Sequence, residues 1–357
     1  QTIQRAKSVW GPYEMYHPPF GRRDSEDEAY SIMTSRHHPG FLLQKSGHGD
    51  LVETPDGQRY MVHLCGRALE SRNPADARRF PGARRYPLGR ETAIQKVEWT
   101  EDGWLKLANG TQLPDILVPE PGEGPAEKPA EKPGTVQGTA TKGHLPASQG
   151  NRQDRDDFDA PQLSREYQSL RVPMDETFCS LTARPGWLRM YGRAGLSSRF
   201  EQTLIARRWT EFRFEAETKM EFEPEVFKQM AGLICLYDTD NYAYLHVTHD
   251  EDLGTCISLL TAENKNYGYP AGFRTIRKGE PVYLKVSVDH DKMQFFYKVG
   301  DDDYEPLGPV LDASILSDEA CEEGWFTGAM VGICCQDLTG FRKAADFDWF
   351  AYRTREE

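Results

Sequence analysis

Hydrophobic and polar residues alternate with a period of two through much of the C-terminal half of the chain. In the segment 212–222, apolar residues fill most even positions and charged residues fill the odd ones. Val282, Leu284, Val286 and Val288 repeat the pattern further along. Successive side chains of a β-strand point to opposite faces, so the pattern predicts half-buried antiparallel strands. Many short strands with polar turns and little helical periodicity predict a β-sandwich.

The N-terminal part of the chain is also rich in predicted strands. The segment 50–67 predicts a hairpin that turns at Pro55-Asp56-Gly57, and the segment 97–113 predicts a second hairpin that turns at Asp102-Gly103. These short antiparallel units leave sheet edges open, which all-β folds avoid by closure or by radial repetition. We therefore expect them to belong to a larger all-β assembly.

A sharp change of composition divides the chain. Residues 118–155 are rich in Pro, Gly, Glu and Lys and hold almost no large apolar side chain. Such a segment buries too little apolar surface to offset the entropy of ordering it, so we expect a flexible linker. The sequence thus predicts a domain at 1–117, the linker at 118–155 and a β-sandwich domain at 156–357.

Composition and charge exclude several classes of partner. The chain has 357 residues, of which 38% are hydrophobic, and a formal net charge of −13. Nucleic acid binding depends on clustered Lys and Arg, so we expect no nucleic acid partner. No run of about 18 apolar residues occurs, so we expect no membrane span.

The cysteines and the N-terminal segment indicate the cellular compartment of the protein. Seven cysteines are scattered along the chain, and none forms a Cys-x-x-Cys pair, which argues against zinc and thioredoxin-type chemistry. An odd number of thiols is typical of a reducing compartment, and the first residues contain no apolar signal-peptide core. We therefore expect a cytoplasmic protein.

Several long motifs carry a resemblance to a known family. They include KSGHGDLVE at 45–53, PLGRETAIQKVEW at 87–99 and SLTARPGWLRMYGR at 180–193. With these blocks the chain resembles the C-terminal part of family-43 glycoside hydrolases of the β-xylosidase type. The resemblance implies an all-β fold: the last blades of a five-bladed β-propeller, followed by a concanavalin-like (jelly-roll-like) β-sandwich.

The resemblance also implies an activity. Family members release terminal xylose from β-1,4-xylooligosaccharides with inversion, and some release arabinofuranose. An inverting glycosidase needs an acid and a base carboxyl group about 6.5 to 9.5 Å apart. The Asp-Pro and Thr-Glu-Gly-Pro contexts in which the family carries these groups are absent here. We therefore expect no catalytic acid or base in this chain; both should lie upstream, on propeller blades that it lacks, and the chain alone should be inactive.

Three residues match pocket positions of the family. Arg90, in LGRET, matches an arginine directed at the sugar, and a guanidinium can bind hydroxyl groups. His48, in SGHGD, matches a histidine near the propeller axis that supports the pocket. Phe326, in GWFTG, matches an aromatic residue that the sandwich extends to narrow the active site.

Cofactors and assembly follow from the same resemblance. It implies no required cofactor, although a divalent cation near the propeller axis is compatible with His48 contacting it through water. We expect a xylooligosaccharide substrate and a homo-oligomer formed through the sandwich domain. The His37-His38 pair has no third ligand at metal spacing, so we predict no protein metal site.

The remaining carboxylates could in principle substitute for the absent pair. Glu53 and Glu91 lie within the family motifs, but the resemblance gives both structural roles. Asp50 follows His48 by two residues and is expected to be a surface loop carboxylate.

Two alternatives to an enzyme remain open from the sequence. An orphaned sandwich can persist as a noncatalytic carbohydrate-binding or oligomerisation module. A decayed, poorly folded relative would expose unpaired strand edges and aggregate. The sequence also leaves open xylosidase against arabinofuranosidase preference.

Overall fold

The structure is a computed structural model that describes residues 1–19, 30–70, 84–121, 154–323 and 327–355. Within these ranges the regular elements are β-strands and one 3₁₀ turn, η1 (Ala313–Ile315), so the predicted all-β class is confirmed. The chain forms two compact units, one of Gln1–Arg84 with Arg90–Ala147 and one of Arg85–Gly89 with Ser148–Glu357. No helix in the described ranges is long and apolar enough to cross a membrane.

The first unit is organised around a four-stranded antiparallel sheet. Its strands, in spatial order, are β3 (Leu43–Glu53), β4 (Arg59–Arg67), β7 (Glu91–Trp99) and β8 (Leu105–Leu107). Two small ribbons accompany the sheet: β1 (Gln4–Arg5) with β2 (Glu14–Met15), and β5 (Leu69–Glu70) with β6 (Arg84–Arg85). Four antiparallel strands joined to their neighbours are typical of one propeller blade.

Both predicted hairpins of the first unit are confirmed. β3 and β4 are joined by a turn in which Gly57 has φ +81°, and β7 and β8 by a turn in which Gly103 also has φ +81°. A positive φ is easily adopted only by glycine, which explains the Asp-Gly dipeptide at each turn. The buried core of this unit includes Met33, Met61 and Trp104.

The second unit is a sandwich of two antiparallel sheets. The larger sheet has the order β10-β11-β23-β13-β19-β20-β21, with β9 paired to β23. Its strands are β9 (Arg155–Asp156), β10 (Cys179–Ser180), β11 (Leu188–Tyr191), β13 (Arg213–Glu221), β19 (Val282–Asp289), β20 (Lys292–Val299), β21 (Glu305–Asp312) and β23 (Ala344–Thr354).

The smaller sheet of the sandwich has the order β12-β22-β14-β15-β16-β17, with β18 paired to β16. Its strands are β12 (Thr203–Arg208), β14 (Gln229–Asp238), β15 (Asn241–Asp250), β16 (Gly254–Glu263), β17 (Asn266–Gly268), β18 (Phe273–Thr275) and β22 (Met330–Asp337). The apolar residues that face each other between the two sheets form the main core of the unit.

The predicted alternation is confirmed in the larger sheet. On β13, Phe214, Ala216 and Met220 are buried, and the charged residues between them are not. On β19 the even-numbered residues from Val282 to Val288 are buried in the same way. One face of this sheet therefore packs on the core and the other carries charges, as is typical of antiparallel sheets.

The smaller sheet departs from simple alternation. Nearly every residue of β14 and β15 is buried, on both faces of the sheet. The second face carries its own apolar cluster, which includes Ile234, Tyr244 and Leu196 from the loop before β12. This double burial explains why β14 is almost continuously apolar in sequence, whereas β15 also buries the polar side chains of Asn241, His246 and Thr248.

A short segment from the N-terminal half of the chain belongs to the second unit. Tyr86 donates its backbone N–H to the Glu319 carboxylate (3.0 Å), and Leu88 is 1% exposed in the sandwich core. The Arg85 guanidinium, 5% exposed, lies 3.6 Å from Asp312. The domain boundaries at 117/118 and 155/156 stay a prediction, and residues 122–153 of the predicted linker lie outside the described ranges.

Candidate functional site

His48 lies on a bulge of β3. Gly47 pairs with Leu64 and Asp50 pairs with Val62, so His48 and Gly49 together face one residue of β4. His48 has φ +50°, a left-handed conformation that non-glycine residues adopt rarely. Bulges redirect side chains and are common beside functional sites, and β3 has two of them, since Lys45 has φ +53° at a second register shift of the same strand.

Glycine on one side of His48 makes the bulge possible. A Cβ at Gly49 would stand 2.6 Å from Cγ of Met61, well inside van der Waals contact. Packing therefore explains Gly49, whereas a Cβ at Gly47 would meet only the Gln1 nitrogen, at 3.7 Å. The histidine itself is exposed in this structure.

A second histidine, His63, lies opposite this bulge on β4. It is buried, and its Nδ1 lies 2.9 Å from the Leu64 carbonyl oxygen. Burial lowers its pKa below the usual range, so it is neutral at pH 7. His63 is not among the predicted site residues. It lies on β4, where alternate side chains face the core, and that alternation is the sequence signal for its burial.

Arg90 is positioned by the residue that follows it. Glu91 begins β7, and its carboxylate receives two-pronged hydrogen bonds from the Arg67 guanidinium on β4, with N–O distances of 2.8 to 3.1 Å. The two side chains are only 12% (Arg67) and 29% (Glu91) exposed. Bidentate arginine–carboxylate pairs fix geometry strongly, so the pair holds the start of β7 directly after Arg90. Nη1 of Arg90 is itself buried.

The partner of Glu91 has no signal in the local sequence. The structural role predicted for Glu91 is explained by its ion pair with Arg67. Arg67 and Glu91 are 24 positions apart and become neighbours because Cys65 of β4 pairs with Glu91. Burial raises the pKa of the Cys65 thiol to about 11, and the Glu91 charge adds to the effect, so Cys65 is not a nucleophile at neutral pH.

The register of the sheet separates Glu53 from Glu91. Glu53 pairs with Arg59 and Glu91 with Cys65, six residues further along β4. At about 3.4 Å per residue their backbones are about 20 Å apart, roughly twice the widest separation of an inverting acid–base pair. Glu53 is also held by Arg59, at 2.9 Å. These two glutamates therefore do not form a substitute catalytic pair.

Comparisons with known proteins give the family. Residues 155–353 match the model "Beta xylosidase C-terminal Concanavalin A-like domain", and residues 1–105 match "Glycosyl hydrolases family 43". The chain belongs to glycoside hydrolase family 43. The resemblance inferred from KSGHGDLVE, PLGRETAIQKVEW and SLTARPGWLRMYGR is confirmed.

Individual family 43 proteins match nearly the whole chain. It is 36% identical to the β-xylosidase of Bacillus subtilis (strain 168), with 99% of this chain and 60% of that protein covered. It is also 36% identical to xylosidase/arabinosidase 43B of Humicola insolens, covering 99% of this chain and 58% of that protein. The crystal structure of a xylan β-1,4-xylosidase from Bacillus halodurans C-125 aligns with a TM-score of 0.81 and 39% identity, over 99% of this chain and 59% of that one. The chain thus spans about 60% of the length of these relatives.

Family membership confirms the predicted fold, and the predicted roles of Arg90, His48 and Phe326 stay predictions. The propeller-like first unit and the concanavalin-like sandwich correspond to the two family 43 regions. Arg90 and His48 both belong to the first unit. Arg90 directly precedes β7 and His48 lies on β3, and β4 pairs with both of these strands. Phe326 lies outside the described ranges, so its predicted role stays a prediction.

The other candidates lie at the surface. Asp50 is exposed and accepts a hydrogen bond from the next backbone N–H, that of Leu51, at 3.1 Å. His37 and His38 are exposed in a turn region. Neither observation gives these residues a role in catalysis.

The described residues do not build an ion site by themselves. Within those ranges no group of three or more His, Cys, Asp or Glu side chains could hold a metal. His48 would offer one imidazole, and a cation near the propeller axis would need its other ligands from water or from elsewhere. All seven cysteines lie in the described ranges as buried free thiols.

Proposed function

We propose that this chain is part of an exo-acting, inverting β-1,4-xylosidase that acts on xylooligosaccharides. Membership of family 43 and the β-xylosidases among the chain's relatives support this proposal. The observation that carries it furthest is the position of Arg90, immediately before a strand whose first residue is held in a partly buried, bidentate ion pair. That arrangement suits a residue whose task is to meet a ligand in one fixed orientation.

In the proposed pocket Arg90 donates hydrogen bonds to xylose hydroxyl groups. A guanidinium presents several donors in a rigid plane and stays charged at all relevant pH values. Charge-assisted hydrogen bonds of this kind contribute about 1.5 to 3 kcal/mol each. His48, on its bulge, supports the pocket from the neighbouring part of the same sheet.

The hydrolytic step in this proposal uses carboxyl groups outside this sequence. One protonated carboxyl donates its proton to the leaving glycosidic oxygen, while a carboxylate removes a proton from the attacking water on the opposite face of the sugar. The xylose is released with inverted configuration at its anomeric carbon. Glu53 and Glu91 are too far apart for these roles and are each occupied by an arginine.

Finer features of the activity belong to the same proposal. The relatives include a xylosidase/arabinosidase, so release of α-L-arabinofuranose is proposed as a secondary activity. We also propose a homo-oligomer formed through the sandwich, which light scattering coupled to size exclusion would detect. No cofactor is required in this scheme, and added chelator is expected to leave the folded chain unchanged.

An aryl β-xyloside assay on two proteins tests the proposal. The 357-residue chain is compared with a chimera in which the part of the Bacillus subtilis β-xylosidase that has no counterpart here is joined at Gln1. We expect no turnover by the chain alone and turnover by the chimera. Turnover by the purified chain alone, or no turnover by a chimera whose circular dichroism indicates a folded β-protein, would contradict the proposal.

A further inference from the structure

The sandwich unit carries a small pocket away from its core. Its volume is about 260 Å³, and its lining includes Glu225, Phe227, Lys228, His249, Glu251 and Thr339. These residues come from the loop before β14, from the end of β15 and the turn that follows it, and from the turn after β22. The size suits one sugar ring, since pockets for larger organic ligands usually start at about 300 Å³.

The loop that presents Phe227 is tightly held. The backbone carbonyl oxygens of Phe227 and Gln229 both accept hydrogen bonds from the Thr248 hydroxyl, at 3.3 and 2.9 Å. The Lys228 carbonyl oxygen accepts one from the backbone N–H of Leu338, at 3.1 Å. Phe227 is nevertheless 54% exposed, so a fixed loop holds an aromatic ring at the surface, with the Lys228 ammonium 5.9 Å from the ring centroid. A preorganised ring of this kind is a stacking surface that a ligand can use without an ordering cost.

Polar groups surround this ring. The Glu225 carboxylate lies 2.8 Å from the Lys343 ammonium, whose hydrogen bond and charge keep the pKa of Glu225 below its usual range. It is therefore ionised and can accept hydrogen bonds from hydroxyl groups, as can the exposed Glu251. His249 adds an imidazole that can donate or accept, whereas the Thr339 hydroxyl already donates to the Asp337 carboxylate and accepts from the Phe341 backbone N–H. The Lys228 ammonium also lines the pocket, so the two carboxylates and the ammonium groups of Lys228 and Lys343 balance, which suits a ligand without net charge.

An aromatic face, hydroxyl-binding side chains and a volume suited to one ring describe a site for a neutral sugar. We propose that this pocket binds a xylopyranose unit of a xylan chain, with the sugar's C–H face against Phe227 and its hydroxyl groups on Glu225, Glu251 and His249. The choice of xylose rests on the proposed function. The site would hold polymeric substrate to the protein and takes no part in bond cleavage.

Native gel electrophoresis of the full chain in gels containing soluble arabinoxylan tests this proposal. The wild-type chain is expected to be retarded by arabinoxylan, and Phe227→Ala and His249→Ala are each expected to weaken the retardation at least 10-fold in apparent affinity. Phe200→Ala is the matched control, because Phe200 is a similarly exposed phenylalanine of the same unit (59%) outside the pocket. Phe200→Ala is expected to migrate as the wild type does.

Several results would refute the proposed xylose-binding pocket of the sandwich unit. One is a wild-type chain that arabinoxylan does not retard; another is a Phe227→Ala chain retarded as strongly as the wild type. Equal retardation by hydroxyethylcellulose would refute the choice of xylose, and loss of retardation in Arg90→Ala alone would assign the binding to the other pocket. Retardation that depends on Phe227 while the chimera releases no xylose would support the xylose-binding pocket and refute the proposed function, so the two failures are distinguishable.

Discussion

Glu91→Gln isolates the contribution of the ion pair beside Arg90. The change keeps the shape of the side chain and one neutral hydrogen bond but removes the charge that holds Arg67. Charge-assisted hydrogen bonds contribute about 1.5 to 3 kcal/mol and neutral ones about 1 kcal/mol. Because Arg67 is only 12% exposed, water replaces little of the lost interaction. We expect the local opening free energy of β7 to fall by about 2 kcal/mol.

Glu53→Gln is the matched control for this change. Glu53 lies in the same four-stranded sheet and forms an ion pair with Arg59. The Glu53 and Arg59 side chains are 56% and 36% exposed. Exposed ion pairs contribute about 0 to 1 kcal/mol, so we expect a loss of about 0.5 kcal/mol or less. The comparison thus varies burial while it keeps the chemistry of the substitution.

Hydrogen–deuterium exchange measured by mass spectrometry reports this difference locally. Peptides that cover Glu91–Trp99 should exchange about 30-fold faster in Glu91→Gln, since 1.4 kcal/mol corresponds to a factor of ten. The same peptides in Glu53→Gln should change by less than about 3-fold. Equal acceleration in the two variants would refute the view that the buried pair anchors the start of β7.

Three further predictions concern stability and thiol chemistry. Gly89→Ala should lower the free energy of unfolding in urea by about 3 kcal/mol or more, because its Cβ would stand 1.7 Å from the Thr327 carbonyl oxygen. Gly57→Ala has open space around it and should lower the free energy of unfolding by about 1 kcal/mol; equal losses in the two variants would contradict this. His246 is fully buried and burial lowers its pKa to about 4, so the unfolded chain binds more protons between pH 4 and 6.5. This group alone should lower stability by about 2 kcal/mol from pH 7 to 5, and His246→Phe should remove that contribution in urea titrations at both pH values; an unchanged pH dependence would contradict this. The seven buried thiols should react with Ellman's reagent only after denaturation, and fast reaction in the native chain would argue against their burial.

Much of the fold followed from local sequence patterns. The strand β13 was predictable because one of its faces is buried and the other charged, and the turn at Gly57 because only glycine adopts its φ easily. The family motifs added the propeller-like and concanavalin-like architecture, which periodicity alone could not identify.

Other features depend on contacts between positions far apart in sequence. The Arg67–Glu91 pair requires the β4–β7 register, and the doubly buried strands β14 and β15 require partners on both faces of their sheet. The grouping of Arg85–Gly89 with the sandwich is likewise set by tertiary packing around Leu88. The bulge at His48 has a partial signal, its flanking glycines, but its left-handed φ is a property of the paired strands.

The distance between Glu53 and Glu91 illustrates the same limit for the site. Sequence spacing cannot give the separation of two carboxylates, whereas the pairing of both strands with β4 gives it directly. That separation supports the proposal that the acid and base are supplied from outside this sequence.

Proton NMR of the xylose first released from an aryl β-xyloside is the most direct test of the proposed inverting hydrolysis. With the active chimera, we expect α-xylose to appear first, and we expect Arg90→Ala to lower the rate at least 10-fold while Glu53→Gln leaves it unchanged. Initial release of β-xylose, or a rate that does not depend on Arg90, would contradict the account.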